Sequence, residues 1–102
     1  MKLSLSVAVG NYDRTRALID GRVQIDGVSP VFMTLSPEEM FFRAFRHADF
    51  DVTELSLASH AVSLANGTNQ YLALPIFLSR AFRHSSIYVT RQSSIQNPKQ
   101  LM

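Results

Sequence analysis

The chain has 102 residues, of which 46% are hydrophobic and 18% are charged, and its formal net charge is +2. These values are typical of one small folded domain and exclude an intrinsically disordered chain. Cysteine is absent and histidine occurs three times without the spacing of metal ligands, so disulfides, thiolate chemistry and a metal site are not expected.

The distribution of charged and apolar residues also bears on partners. The basic residues are scattered instead of forming a stripe, which argues against a nucleic-acid partner. No apolar run approaches the ~20 residues of a membrane span, so no membrane partner is expected. Residues 1–9 alternate serine with leucine and valine, a pattern typical of a strand and not of a signal peptide. A cytoplasmic protein is therefore predicted.

Hydrophobic periodicity predicts strands and helices in alternation along the chain. Asp13 is the expected N-cap of the first helix, and Ser36, Pro37 and Glu39 predict a capping box at the second. Strands are predicted at 3–9, 28–35, 51–55, 71–78 and 86–90, and helices at 14–20, 37–47 and 56–65. This order favours an α/β fold, a mostly parallel sheet with helices on its faces.

The parallel topology predicts where a ligand site would lie. In open parallel sheets, ligands bind at the carboxyl ends of the strands. Four loops are expected at that edge: Gly10–Asp13, Leu35–Ser36, Glu54–Ser56 and Ser79–His84. The first is a turn before a helix start and a candidate anion cradle, although a plain strand-to-helix turn remains an equal alternative.

The loop Ser79–Ser85 carries two arginines and a histidine between two apolar runs. Arg80 and Arg83 present planar guanidinium groups, which suit carboxylates, and His84 can exchange a proton near neutral pH. The loop is therefore a candidate carboxylate site. In the alternative interpretation both arginines are structural and pair with Glu54, Asp13 or a part of the protein outside this chain.

Glu54 is an acid near the end of a strand that is expected to be buried, so it needs a partner. It is either a ligand-binding or proton-transfer group, or a structural ion pair or helix cap.

Five segments of the chain together resemble the 4,5-dihydroxyphthalate decarboxylase family, which is similar to type II periplasmic substrate-binding proteins. The segments follow in order over nearly the whole chain, and the Arg-Ala-Phe-Arg-His sequence is the most specific. They are Asn11–Arg16, Leu18–Gly21, Pro37–Phe41, Asp51–Leu57 and Ser79–Ser85.

The resemblance implies two α/β lobes with a ligand between them. Residues 1–94 are then part of lobe one, and 95–102 begin the crossover to a second lobe. Asn97 and Pro98 start a helix that the chain does not complete, so a piece of a longer protein is expected. Apolar surface left by the missing part is expected to drive homo-oligomer formation.

The implied activity is decarboxylation of an aromatic dicarboxylate without a cofactor; the alternative is a non-catalytic binding protein for a small carboxylate. Asn11 and His60 depart from the residues expected at their positions (an acid and an aromatic residue), so a substrate different from that of the family remains an alternative. The candidate catalytic residues are His84 and Glu54, and the candidate substrate-binding residues are Asn11, Tyr12, Asp13, Arg14, Ser56, Arg80, Phe82 and Arg83.

Overall fold

A computed structural model describes residues 1–81 and 86–101. Within them, strands and helices alternate and confirm the predicted α/β class. The elements are β1 (Leu3–Val9), α1 (Asp13–Ile19), β2 (Val28–Thr34), α2 (Pro37–His47), β3 (Val52–Thr53), α3 (Leu57–Ala65) and a short 3-10 helix, Pro98–Leu101. None of the helices in this part of the chain is long and apolar enough to cross a membrane.

The sheet has the order β2-β1-β3, and β1 is parallel to both neighbours. In the central strand, Ala8 lies opposite Met33 of β2 and Thr53 of β3. Pro30 has no backbone N–H to donate, and its position in an edge strand accommodates that loss. Because all three strands are parallel, their carboxyl ends meet at one edge, as the sequence predicts.

The hydrophobic core lies between β1 and one face of α2. Ala8, Met40 and Ala44 are fully buried, and Phe50 is almost so. Met40 and Ala44 are four residues apart and therefore share one face of α2. Partly buried side chains surround this group: Met33, Leu35, Phe41, Leu55 and Tyr71.

The second helix begins and ends where the sequence predicts, and the third ends at the predicted Ala65 but begins one residue later than predicted, at Leu57. Ser36 caps α2 by accepting a hydrogen bond from the Glu39 N–H at 3.3 Å, and Pro37 occupies the first helical position. The Glu39 carboxylate lies 3.6 Å from Arg43 in an ion pair. Ser56 caps α3 in the same way, through the Ser59 N–H at 3.3 Å.

The first helix begins one residue earlier than predicted, and the prediction of Asp13 as its N-cap is wrong. Tyr12 has the extended backbone of an N-cap, with φ −110° and ψ 156°, and Asp13 is already helical. The Thr15 hydroxyl accepts the Tyr12 N–H at 3.2 Å, so threonine supplies the capping oxygen. Asp13 instead places its negative charge in the first turn, where the helix dipole favours it.

The third strand is shorter than the predicted 51–55, because side chains take over its hydrogen bonding at both ends. Before it, the Asp51 carboxylate accepts hydrogen bonds from the N–H and the hydroxyl of Ser6, both at 2.8 Å. These bonds hold the pKa of Asp51 below its ordinary value.

The predicted strands 71–78 and 86–90 are wrong: neither segment belongs to a sheet. Both are apolar runs typical of a buried strand, but large apolar side chains in them are exposed; Leu72 is 90% and Tyr88 86% accessible. A strand needs a neighbour for its N–H and C=O groups, and neither segment has a ladder partner in the described part of the chain. Pro75 removes one further donor.

Candidate functional site

The candidate site is built at the carboxyl ends of β1 and β3, where Gly10 and Glu54 follow the two strands directly. The Gly10 N–H donates to Glu54 Oε2 at 3.1 Å, and the Tyr12 hydroxyl donates to Oε1 at 2.9 Å. Each carboxylate oxygen of this half-buried acid therefore accepts a hydrogen bond. The predicted meeting of Glu54 with the turn after the first strand is confirmed.

Tyr12 folds back over Gly10. A Cβ atom added to Gly10 would lie 2.4 Å from Cζ of the Tyr12 ring, so any side chain at position 10 would displace the ring. Burial and the hydrogen bond to Glu54 raise the pKa of the Tyr12 phenol, whereas a hydrogen bond with Ser79 and the charge of Arg14 act in the opposite direction. The turn predicted as an anion cradle is thus occupied by the chain's own tyrosine.

Arg14 connects this turn to the segment that leads into the basic loop. Its Nε and Nη2 atoms both donate to the carbonyl oxygen of Leu78, at 3.0 and 2.7 Å. The guanidinium carbon also lies 5.2 Å from the centre of the Tyr12 ring, within cation–π distance. The start of the basic loop is therefore at the same sheet edge as Glu54.

The basic loop is described as far as Ala81. Arg80 is exposed, and its Nε donates to the Phe77 carbonyl at 3.3 Å, which uses one of its N–H donors. The other predicted site residues of this loop lie outside the described residues: Phe82, Arg83 and His84.

The remaining candidates occupy the loops where the sequence places them. Asn11 and Asp13 are exposed, and Ser56 is half-buried two residues after Glu54. The Ser56 hydroxyl oxygen is the cap of α3, so it already accepts one hydrogen bond. Sequence analysis missed the backbone groups of the site, namely the N–H of Gly10 and the carbonyl of Leu78, because neither has a side-chain signature.

His60 lies apart from this cluster of contacts. It is 7% exposed in the first turn of α3 and lines an open cavity of about 370 Å³ together with Leu64, Tyr71 and residues around them. Within residues 1–81 and 86–101, no three acidic, histidine or cysteine side chains come together as metal ligands.

Over 100 residues the chain is 64% identical to 4,5-dihydroxyphthalate decarboxylase of Comamonas testosteroni and 60% identical to that of Pseudomonas putida. Both matches cover 98% of this chain but only 30% and 39% of the relatives, so the chain spans about a third of the length of the curated relatives it matches. No protein-family model matches the chain. The resemblance inferred from its motifs is confirmed: along nearly all of its length, the chain is similar to 4,5-dihydroxyphthalate decarboxylases.

Proposed function

We propose that this chain forms part of the substrate site of a decarboxylase that acts on 4,5-dihydroxyphthalate or a closely related aromatic dicarboxylate. The observation that carries the proposal is the 60–64% identity to two proteins of that name across 98% of the chain. Because the chain spans about a third of those relatives, the activity is proposed for a protein of their length.

The chemistry defines what such a site must supply. The bond between the ring carbon and one carboxylate breaks, CO2 leaves, and the electron pair remains on the ring carbon, which takes a proton. In 4,5-dihydroxyphthalate a hydroxyl group stands para to each carbon that bears a carboxylate, and its electrons favour protonation there. The protein must therefore hold the retained carboxylate and place a proton donor beside the departing one.

Arg80 and Arg83 are the proposed grip on the retained carboxylate, since a guanidinium group can donate two parallel hydrogen bonds to it. The exposed position of Arg80 at the edge that carries Glu54 supports this role. Asn11, Asp13, Ser56 and Phe82 are proposed to complete the binding surface around the ring.

His84 and Glu54 are the two candidates for the proton donor. Both Glu54 oxygens accept hydrogen bonds from Gly10 and Tyr12, which supports a role for this carboxylate as an acceptor that orders the turn. Histidine exchanges protons near neutral pH, so the first choice for the donor is His84.

The proposal is tested with a hybrid in which this chain replaces the matching 100 residues of the Comamonas testosteroni relative. The hybrid is expected to release CO2 from 4,5-dihydroxyphthalate, with the unaltered relative as the positive control. A hybrid that has a native-like circular dichroism spectrum and yields no CO2 would overturn the proposal. If that hybrid nevertheless binds the dicarboxylate in calorimetry, the non-catalytic binding protein is the correct interpretation.

The arginine grip is tested by replacing Arg83 with alanine in the hybrid. Turnover of 4,5-dihydroxyphthalate is expected to fall about 100-fold or more, because a charged hydrogen-bonding partner of the substrate is lost. Arg91, which lies beyond the loop and is exposed, provides the matched control as Arg91→Ala. Equal turnover of the two variants would remove Arg83 from the site.

Self-association of the chain by itself is also proposed. Exposed apolar side chains along residues 72–77 and 87–89 support it, since contiguous apolar surface promotes association. Light scattering is expected to show a dimer or larger species, and replacing Leu72 and Phe77 by serine is expected to shift it toward the monomer. A monomer before any replacement would refute the proposal.

A further inference from the structure

We propose that Arg14 is a positioning residue: it holds the Leu78 carbonyl and thereby fixes Arg80 at the sheet edge for the substrate carboxylate. The inference rests on the proposed function for the role of Arg80. It assigns to Arg14 a task different from direct contact with the substrate.

Arg14 holds the Leu78 carbonyl through two hydrogen bonds. Two N–H groups of one guanidinium converge on a single carbonyl oxygen, at 3.0 and 2.7 Å. The guanidinium is planar and rigid, so two bonds to one oxygen fix the direction of approach as well as the distance. The Leu78 carbonyl belongs to no sheet, and Arg14 supplies the donors that a neighbouring strand would otherwise provide.

Arg14 is itself held in place by contacts with Tyr12. Its guanidinium lies over the Tyr12 ring, whose hydroxyl donates to Glu54 and also shares a hydrogen bond with Ser79. Glu54 is fixed in turn by the end of β1, because it accepts the Gly10 N–H. A continuous set of contacts therefore runs from the sheet through Tyr12 and Arg14 to residues 78 and 79.

This set of contacts also determines the position of Arg80. Arg80 is two residues beyond Leu78, and its Nε makes a local hydrogen bond, to the Phe77 carbonyl. The arginine that is proposed to grip the substrate therefore takes its position from the segment 77–79, and that segment is held by Arg14.

The test begins without substrate, using the hybrid protein and trypsin, which cleaves after arginine. In Arg14→Gln, cleavage after Arg80 is expected to become about tenfold faster, since the charged hydrogen bonds to Leu78 are lost. Arg16→Gln, on the same helix and also exposed, is the matched control and is expected to leave the cleavage rate unchanged. This measurement does not depend on decarboxylation, so its failure is distinct from failure of the proposed function.

Steady-state kinetics on 4,5-dihydroxyphthalate complete the test. Arg14→Gln is expected to raise KM about tenfold while kcat at saturation stays within about twofold, because substrate binding itself can restore the loop. Arg14→Lys keeps the charge and one donor group, so its KM is expected to lie between the values of the unsubstituted hybrid and of Arg14→Gln.

Two results would overturn the inference. A raised KM with unchanged cleavage after Arg80 would mean that Arg14 contacts the substrate directly. A lowered kcat with unchanged KM would mean that the substitution reduces the fraction of folded enzyme, and Arg14 would then be a stabilising residue only.

Discussion

The chain up to residue 70 and the chain beyond Tyr71 have similar strand-like sequences but different structures. In the first region, β1 has a neighbour on each side and buries Val7, Ala8 and Val9. In the second region, residues 72–77 form a continuous apolar run, yet all of them are exposed. The difference shows that an apolar sequence alone is not enough for a strand, which forms only where partners for its backbone are present.

Tyr71 marks the boundary between the two regions. Its ring packs against the core, and its hydroxyl donates to the Phe50 carbonyl at 3.0 Å. Beyond it, two hydrogen bonds from Arg14 to Leu78 and a hydrogen bond between Tyr12 and Ser79 link the segment back to the site. The second region is thus attached through polar contacts, and the first is held by apolar packing.

The largest expected effect contrasts one apolar residue from each region. Met40→Ala removes a fully buried side chain and is expected to lower the free energy of unfolding by about 2–5 kcal/mol. Leu74→Ala, at a 62% exposed position, is expected to change it by less than about 0.5 kcal/mol. Urea unfolding followed by circular dichroism measures both, and equal effects would contradict the division into two regions.

The next largest effect is expected at Gly10. Gly10→Ala brings a methyl group into the Tyr12 ring and is expected to destabilise the fold by about 1–3 kcal/mol. The effect depends on the ring, so the same substitution in a Tyr12→Ala background is expected to cost much less. A double-mutant cycle from urea unfolding gives the coupling energy, and a value near zero would show that the ring does not cause the effect.

A smaller effect is expected in alkaline solution. The pKa of Tyr12 is raised above its ordinary value of 10.0, which means that the folded state favours the neutral phenol. Its contribution to stability is therefore complete below about pH 10 and is lost as the pH rises through the higher folded value. Tyr12→Phe is expected to flatten this part of the stability profile, and an unchanged alkaline slope would argue against the bond to Glu54.

The smallest effect is expected in acid, at Asp51. Its pKa lies below the ordinary 3.8, because the N–H and the hydroxyl of Ser6 donate to the ionised carboxylate. The stability that it contributes is present above pH 3.8 and is lost as the pH falls through the lower folded value. Ser6→Ala removes the hydroxyl donor and is expected to reduce the acid dependence of the unfolding free energy. An unaltered acid limb would contradict this assignment.

Local signals in the sequence predicted the first region well. The structure confirms the Ser36-Pro37 start of α2 and the Ser56 cap of α3. It also confirms that the first three strands run parallel to one another. Each depends on residues close in sequence or on the general geometry of strand–helix–strand units. The predictions of strands at 71–78 and 86–90 failed because strand formation depends on a distant partner, which a local apolar run does not reveal.

The site was predicted at the level of loops and not at the level of contacts. Parallel topology brought Glu54 and the turn at 10–14 to one edge, as expected. The sequence did not show that Arg14 donates to a backbone carbonyl, since a carbonyl is present at every position and its availability depends on the fold. The roles of Arg83 and His84 in substrate binding and proton transfer stay predictions.

The short third strand shows how side chains can define the length of a sheet. Every second N–H group of β1 points toward β3, where a carbonyl of the neighbouring strand would accept it, and the others point toward β2. At Ser6 and at Gly10, a carboxylate from Asp51 or Glu54 takes the place of that carbonyl. The two acids thus act as stops at either end of the ladder, and the chain leaves the sheet after the Glu54 N–H, which still donates to the Ala8 carbonyl at 3.0 Å. Replacing Glu54 by an apolar residue would therefore allow the pairing to extend by one more residue and would draw the start of α3 toward the sheet.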